Sequence, residues 1–134
     1  MNRGVAPPSG SPAPTSVTLD GRRIELVPLA TAVSERYFRE FPDDLERYGE
    51  SARAWEIHDT CHCLQWAILD VKRIASLEAQ IKWLATVLGS RGFPLEHLAR
   101  NLELAADVVE ERLEEEGPLV GERLRGAAAT VRAT

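Results

Sequence analysis

No apolar run in the 134-residue chain approaches the roughly 20 residues that a membrane-crossing helix needs. The opening stretch, Met1 to Pro8, holds no apolar segment of the kind a secretory signal carries. A soluble cytoplasmic protein is therefore expected, with no membrane among its partners. Basic charge is also scarce. Sixteen Lys and Arg stand against 21 Asp and Glu, a net of -5. A phosphate-backbone binder needs a basic face to displace counterions, so nucleic acid is not an expected partner. Cysteine is limited to Cys61 and Cys63. On a helix these point about 200° apart, too divergent for a disulfide. A zinc site would bring a wider pair and a second pair elsewhere, and the chain has neither. Two small buried or half-buried thiols are expected instead. Also missing are Gly-x-Gly-x2-Gly, Gly-x4-Gly-Lys-Ser/Thr and Gly-x-Ser-x-Gly, so no phosphate cradle or nucleophile elbow is present.

What is present reads as one domain. Residues 1–16 carry Pro7, Pro8, Pro12 and Pro14 among small residues. Such a stretch cannot offset its ordering entropy by burial and is expected to be a disordered tail. Over 17–28, Asp20-Gly21 separates two short alternating runs and predicts a β-hairpin, because both turn residues tolerate positive φ. That ribbon must pack on the rest, since two strands alone are marginal.

The remainder, 29–134, has a helical rhythm. Leu29, Val33, Tyr37 and Phe41 are four apart, and Pro42 ends that first helix. Asp43 or Asp44 can cap the next segment, and Gly49 lets the helix restart at Ser51. Ala54, Ile57, Cys61, Leu64, Ile68 and Val71 form a 3-4-3-4-3 seam, repeated by Ile74, Leu77, Ile81, Leu84 and Leu88. Leu95, Leu98, Leu102, Val109 and Leu113 follow after Pro94. Val120, Leu124, Ala127 and Val131 sketch a weaker last helix, of which Ala127-Ala128-Ala129 and the end are expected to fray. Three seams with short joints predict an all-α fold, a four- to five-helix antiparallel bundle.

Second faces on these helices suggest function. Opposite the seam of the helix after Ser51 lie Trp55, His58, His62, Trp66 and Leu69, which leaves a strip of Glu56, Asp59, Cys63 and Asp70 for water. Such a helix is central, or it faces a partner or ligand. The next two helices carry Trp83 with Val87, and Leu104 with Val108 beside His97 and Asn101. Trp66, Trp83, Val87, Leu104 and Val108 are thus candidates for a homodimer or protein-partner interface. The six acids of Asp107 to Glu116, against Arg112 alone, read as a solvated face or a contact for a basic partner.

The densest chemistry is Trp55 to Cys63. His58 and His62 stack at i,i+4, so two imidazoles could share one metal ion, with Asp59 as orienting group or third ligand. Trp55 and Trp66 would wall that site, which would also suit haem with one axial His. The Glu of His-Glu-x2-His is replaced and no third ligand follows at a recognised spacing. The leading expectation is a non-catalytic helical protein that works by self-association or partner binding. The alternative is a metal, haem or small-ligand bundle built on the His58/His62 face.

Overall fold

The computed structural model describes residues 12–134. The expected disordered tail lies mostly outside them. Its final residues are tied down: Ala13 packs against the core, and the Thr15 carbonyl accepts the Leu26 amide at 2.9 Å. Strands β1 (Ser16–Leu19) and β2 (Arg22–Glu25) form the expected antiparallel hairpin, with Val17 opposite Ile24. Asp20 and Gly21 both take positive φ, 51° and 79°, as a two-residue turn matched to strand twist requires. Val17, Leu19 and Ile24 are buried, and β1 packs against the helices that follow, which supplies the support a lone ribbon lacks.

Six helices follow rather than four or five: α1 (Leu26–Glu40), α2 (Pro42–Tyr48), α3 (Ser51–Val71), α4 (Leu77–Ser90), α5 (Leu95–Arg112) and α6 (Gly117–Arg132). The extra one is α2. Pro42 does not merely end the first helix. It also opens the next, because a first helical position needs no amide donor. Neither Asp43 nor Asp44 caps α2; Asp44 is turned inward and buried. Gly49, at φ 79°, ends α2 and lets α3 restart at Ser51 as expected. The helix expected from Ile74 begins instead at Leu77. The Ser76 hydroxyl accepts the Ala79 amide and the Asp70 carboxylate accepts that of Leu77. Ile74 is left outside, 70% exposed.

The last helix extends to Arg132, through the residues expected to fray. Val120, Leu124, Ala127, Ala128 and Val131 are buried, and α6 packs more extensively on α5 than any other pair of elements does. Small residues permit that approach. A Cβ on Gly117 would come within 2.7 Å of the Val109 carbonyl oxygen. The acid-rich run at the end of α5 is clasped by the chain's own arginines. Arg125 reaches Asp107 at 2.7 Å and Glu110 at 2.6 Å, Arg36 forks onto Glu111, and Arg22 meets Glu116. Each such surface pair contributes little, but the run is not a bare solvated face.

Helix α3 is central. It packs against α1, α2, α4, α5, α6 and β1. Thr60 through Leu64 are five consecutive buried residues, so no strip of the middle of this helix faces water. The strip expected to be wet has a different fate. Cys63 is buried, and Glu56, Asp59 and Cys63 line a cavity. Conversely Ala54, placed in the seam by spacing, is exposed. Near its start α3 turns a second stripe inward: Ala52, Glu56, Asp59 and Cys63, at spacings of 4, 3 and 4. No described helix is long and apolar enough to cross a membrane.

Candidate functional site

The cavity measures about 310 Å³. Helix α1 contributes Tyr37 and Phe38, α2 gives Asp44 and Tyr48, and α3 supplies Ala52, Trp55, Glu56, Asp59 and Cys63. The end of α4 and its loop bring Leu84, Leu88, Arg91 and Phe93, and α5 closes the wall with His97, Leu98 and Asn101. Most of this lining is aromatic or aliphatic, with a few polar groups among it, the usual make-up of a small-molecule pocket.

Those polar groups fall into three sets. In the first, Asp44 is 2% exposed and its Oδ2 accepts the Tyr37 hydroxyl. The same oxygen lies 2.8 Å from His97 Nδ1, and the imidazole stacks on Phe41 at 3.9 Å. Burial, then the Asp44 carboxylate, push the Tyr37 phenol well above its ordinary range, so it stays a donor. In the second set the Thr60 hydroxyl donates to Glu56 Oε1 at 3.1 Å and accepts from Asn101 Nδ2 at 3.1 Å. Glu56 Oε2 and Asn101 Oδ1 are sealed from solvent and have no hydrogen-bond partner. Burial raises the Glu56 carboxyl well above the usual carboxylate range, with Asp59 adding to the rise, against opposing hydrogen bonds from Thr60 and Asn101. The third set is Asp59, 3.1 Å from His58 Nδ1, with Arg91 acting on it electrostatically. Burial raises this carboxyl to about 6, despite His58 and Arg91.

The Asp59 shift has a sign that can be measured. Its ordinary value is 3.8, so between there and about 6 the folded chain holds a proton that the unfolded chain has released. Stability therefore falls as pH rises through that window and stays reduced above it. Asp59→Asn, which cannot ionise, should stabilise the fold at pH 7.5 by up to about 3 kcal/mol and leave it nearly unchanged at pH 4. Urea melts at the two pH values read the difference. Equal effects at both would show that the charge is not the cause.

The sequence-derived site is divided by the fold. Trp55 and Asp59 line the cavity, whereas His58, His62 and Trp66 do not. His58 and His62 do lie side by side, ring centres 4.8 Å apart, but their planes are tilted by 58°, and His62 lies 5.7 Å from Trp66. Among the described residues no three His, Cys, Asp or Glu side chains are placed to hold a metal ion. Neither imidazole of the pair borders the cavity, so the pair offers no axial haem ligand there. The interface strip is divided too. Leu104 and Val108 lie inside the core, covered by the chain's own helices; Trp66 and Val87 are half-buried; Trp83 is 42% exposed.

Tyr37, Asp44, Glu56, Arg91, His97 and Asn101 are the site residues that spacing alone does not single out. Their only local signal is the 4-3-4 stripe on α3, and polar members made it look solvated. His97 and Asn101 sit on α5 and meet α2 and α3 through contacts distant in sequence. As for chemistry, the cavity offers hydrogen bonding and no activated nucleophile among the described residues. Burial raises the Cys63 thiol well above its ordinary value and Cys61 to about 11, so neither forms a thiolate readily. Compared with known proteins, the chain matches no protein-family model, no curated protein and no solved structure.

Proposed function

We propose that this chain is a non-catalytic helical module that binds a small, largely apolar molecule in the cavity between α1, α2, α3, α4 and α5. One observation carries the reading: a cavity of about 310 Å³ is walled mostly by rings and aliphatic chains, Tyr37, Phe38, Trp55, Leu84, Leu88 and Phe93 among them. Burial of an apolar molecule against such walls supplies the affinity. The free thiols Cys61 and Cys63 suit a reducing compartment such as the cytoplasm.

A neutral probe tests the cavity. 2-Phenylethanol should bind saturably at one site, change Trp55 emission and raise the melting temperature. Ala52→Phe places a ring in the cavity and should abolish that binding while the protein stays folded. A folded wild-type protein that shows no saturable response, or an Ala52→Phe variant that binds as before, would refute the proposal.

A second reading, self-association, is supported by exposed Trp83 on α4 and exposed Ile74 just before it. Sedimentation across a wide concentration range decides it, and a monomer throughout ends it.

A further inference from the structure

The polar groups on the cavity wall are engaged within the protein. Asp44 accepts the Tyr37 hydroxyl and lies 2.8 Å from His97 Nδ1. Glu56 and Asn101 both bond the Thr60 hydroxyl and interact with each other. Asp59 lies 3.1 Å from His58 Nδ1, and the charge of Arg91 acts on it. None of these groups calls for a charged ligand. A carboxylate would face Asp44 and Asp59, and an ammonium would have to displace bonds already made.

What the walls offer is rings. The chain holds only three Trp, three Phe and two Tyr. Five of these eight, Tyr37, Phe38, Tyr48, Trp55 and Phe93, line this cavity. They arrive from α1, α2, α3 and the loop after α4, and His97 adds a further ring from α5. Some are already paired: Tyr37 meets Phe38 edge-on at 5.1 Å, and Tyr48 lies 6.0 Å from Phe93. Trp55 is half-buried, and its indole meets no other ring and no hydrogen-bond partner among the described residues. Size narrows the class further. A cavity of about 150 Å³ takes benzene. At about 310 Å³, this one has room for two fused rings.

We infer that the cavity takes a flat aromatic compound of two fused rings, seated against Trp55 and among Phe38, Tyr48 and Phe93. The inference rests on the cavity reading above and names the class of ligand that reading leaves open. Aromatic pairs gain energy beyond the area they bury, through offset-stacked and edge-to-face contacts that a saturated ring system of the same skeleton cannot make. Leu84, Leu88 and Leu98 supply apolar burial to either kind of ligand.

Matched probes separate the inference from the reading it rests on. 2-Naphthol and decahydro-2-naphthol share one carbon skeleton and one hydroxyl and differ in aromaticity. Titrated into the full chain by calorimetry at neutral pH, 2-naphthol should bind about tenfold tighter than its saturated analogue and about tenfold tighter than one-ring phenol. Three-ring 9-phenanthrol should bind no tighter than 2-naphthol. Bound 2-naphthol should shift the indole N–H resonance of Trp55 by its ring current and leave those of Trp66 and Trp83 in place. Trp55→Leu keeps an apolar wall and should bring 2-naphthol and its saturated analogue to within about threefold of each other. The wild-type comparisons stand even if that variant fails to fold. Saturated analogue binding as tight as that of 2-naphthol would overturn the aromatic inference and leave the cavity reading in place. Tighter binding of phenol or 9-phenanthrol would overturn the two-ring size. No saturable binding by any of these probes or by 2-phenylethanol would overturn both inference and reading. An unmoved Trp55 resonance, or an unchanged preference in folded Trp55→Leu protein, would overturn the place given to Trp55.

Discussion

Leu124→Ala should lower the free energy of unfolding by about 2–5 kcal/mol, the range for truncating a fully buried leucine. Leu124 is 0% exposed on α6. That helix packs on α5 most of all and also on α4 and α3. The sequence suggests a smaller effect. Gly117, Gly121, Gly126 and the alanines at 127–129 read as a weak helix near the chain's end. Glycine and alanine are ambiguous in this respect, because a small side chain can signal fraying or close approach. Here it is approach: a Cβ on Gly117 would press on the Val109 carbonyl, and one on Gly121 would meet the Glu110 carboxylate. Glu122→Ala, at an exposed position on the same helix, is the control and should shift stability by under about 0.5 kcal/mol. Urea denaturation of both variants measures the contrast. A Leu124→Ala loss no greater than the control's would mean that α6 is peripheral to the cooperative unit.

The features legible in the sequence share a cause: each rests on a backbone rule or on a period. Asp20-Gly21 forces a turn whatever surrounds it. Pro42 and Gly49 interrupt helices because one lacks a donor and the other tolerates positive φ. The stretch of Cys61, Leu64 and Ile68 buries as its spacing predicts. Misreadings arise where polarity stands in for exposure. Glu56 and Asp59 share a face, and two acids on a face usually mean water. In this fold the middle of α3 is surrounded, and the polar stripe of Glu56 and Asp59 lines a cavity instead of facing bulk water. The run from Asp107 to Glu116 is solvated as its charge predicts, with Glu110, Glu111, Glu114 and Glu115 exposed, but its ion pairs are not legible in the sequence. Its charges are met by Arg22, Arg36 and Arg125 from elements distant in sequence, and no periodicity encodes those meetings. His58 and His62 are neighbours on one face as their spacing predicts, with rings tilted by 58°, but such a pair is not a site until other elements bring it ligands. Asp44 on α2 and His97 on α5 meet at 2.8 Å across 53 residues of chain, and the local pattern, which offers Asp44 as a cap and His97 as part of a second face, does not pair them.

That last pair gives the other large effect. Asp44→Ala should destabilise the fold by about 2–5 kcal/mol, because it strands two groups at once. Asp44 Oδ2 receives the Tyr37 hydroxyl and lies within hydrogen-bond reach of His97 Nδ1, so its removal leaves a buried phenol and a half-buried imidazole with no acceptor there. Much of the cost belongs to the stranded partners and not to the carboxylate itself, and a double-mutant cycle separates the two. Tyr37→Phe removes one of the stranded donors. In the Asp44→Ala background it should therefore cost less than it does alone, so that the double variant falls short of the sum by about 1–3 kcal/mol. Tyr37 also packs edge-on against Phe38 and tilts against Phe41, contacts that Phe keeps, so the cycle reads the hydroxyl and not the ring. Both residues line the cavity, and the same variants should weaken 2-phenylethanol binding even where they remain folded, since the wall they brace would loosen. Strict additivity would mean that the two side chains act independently, and the short contact between them would then contribute nothing to either stability or the shape of the cavity.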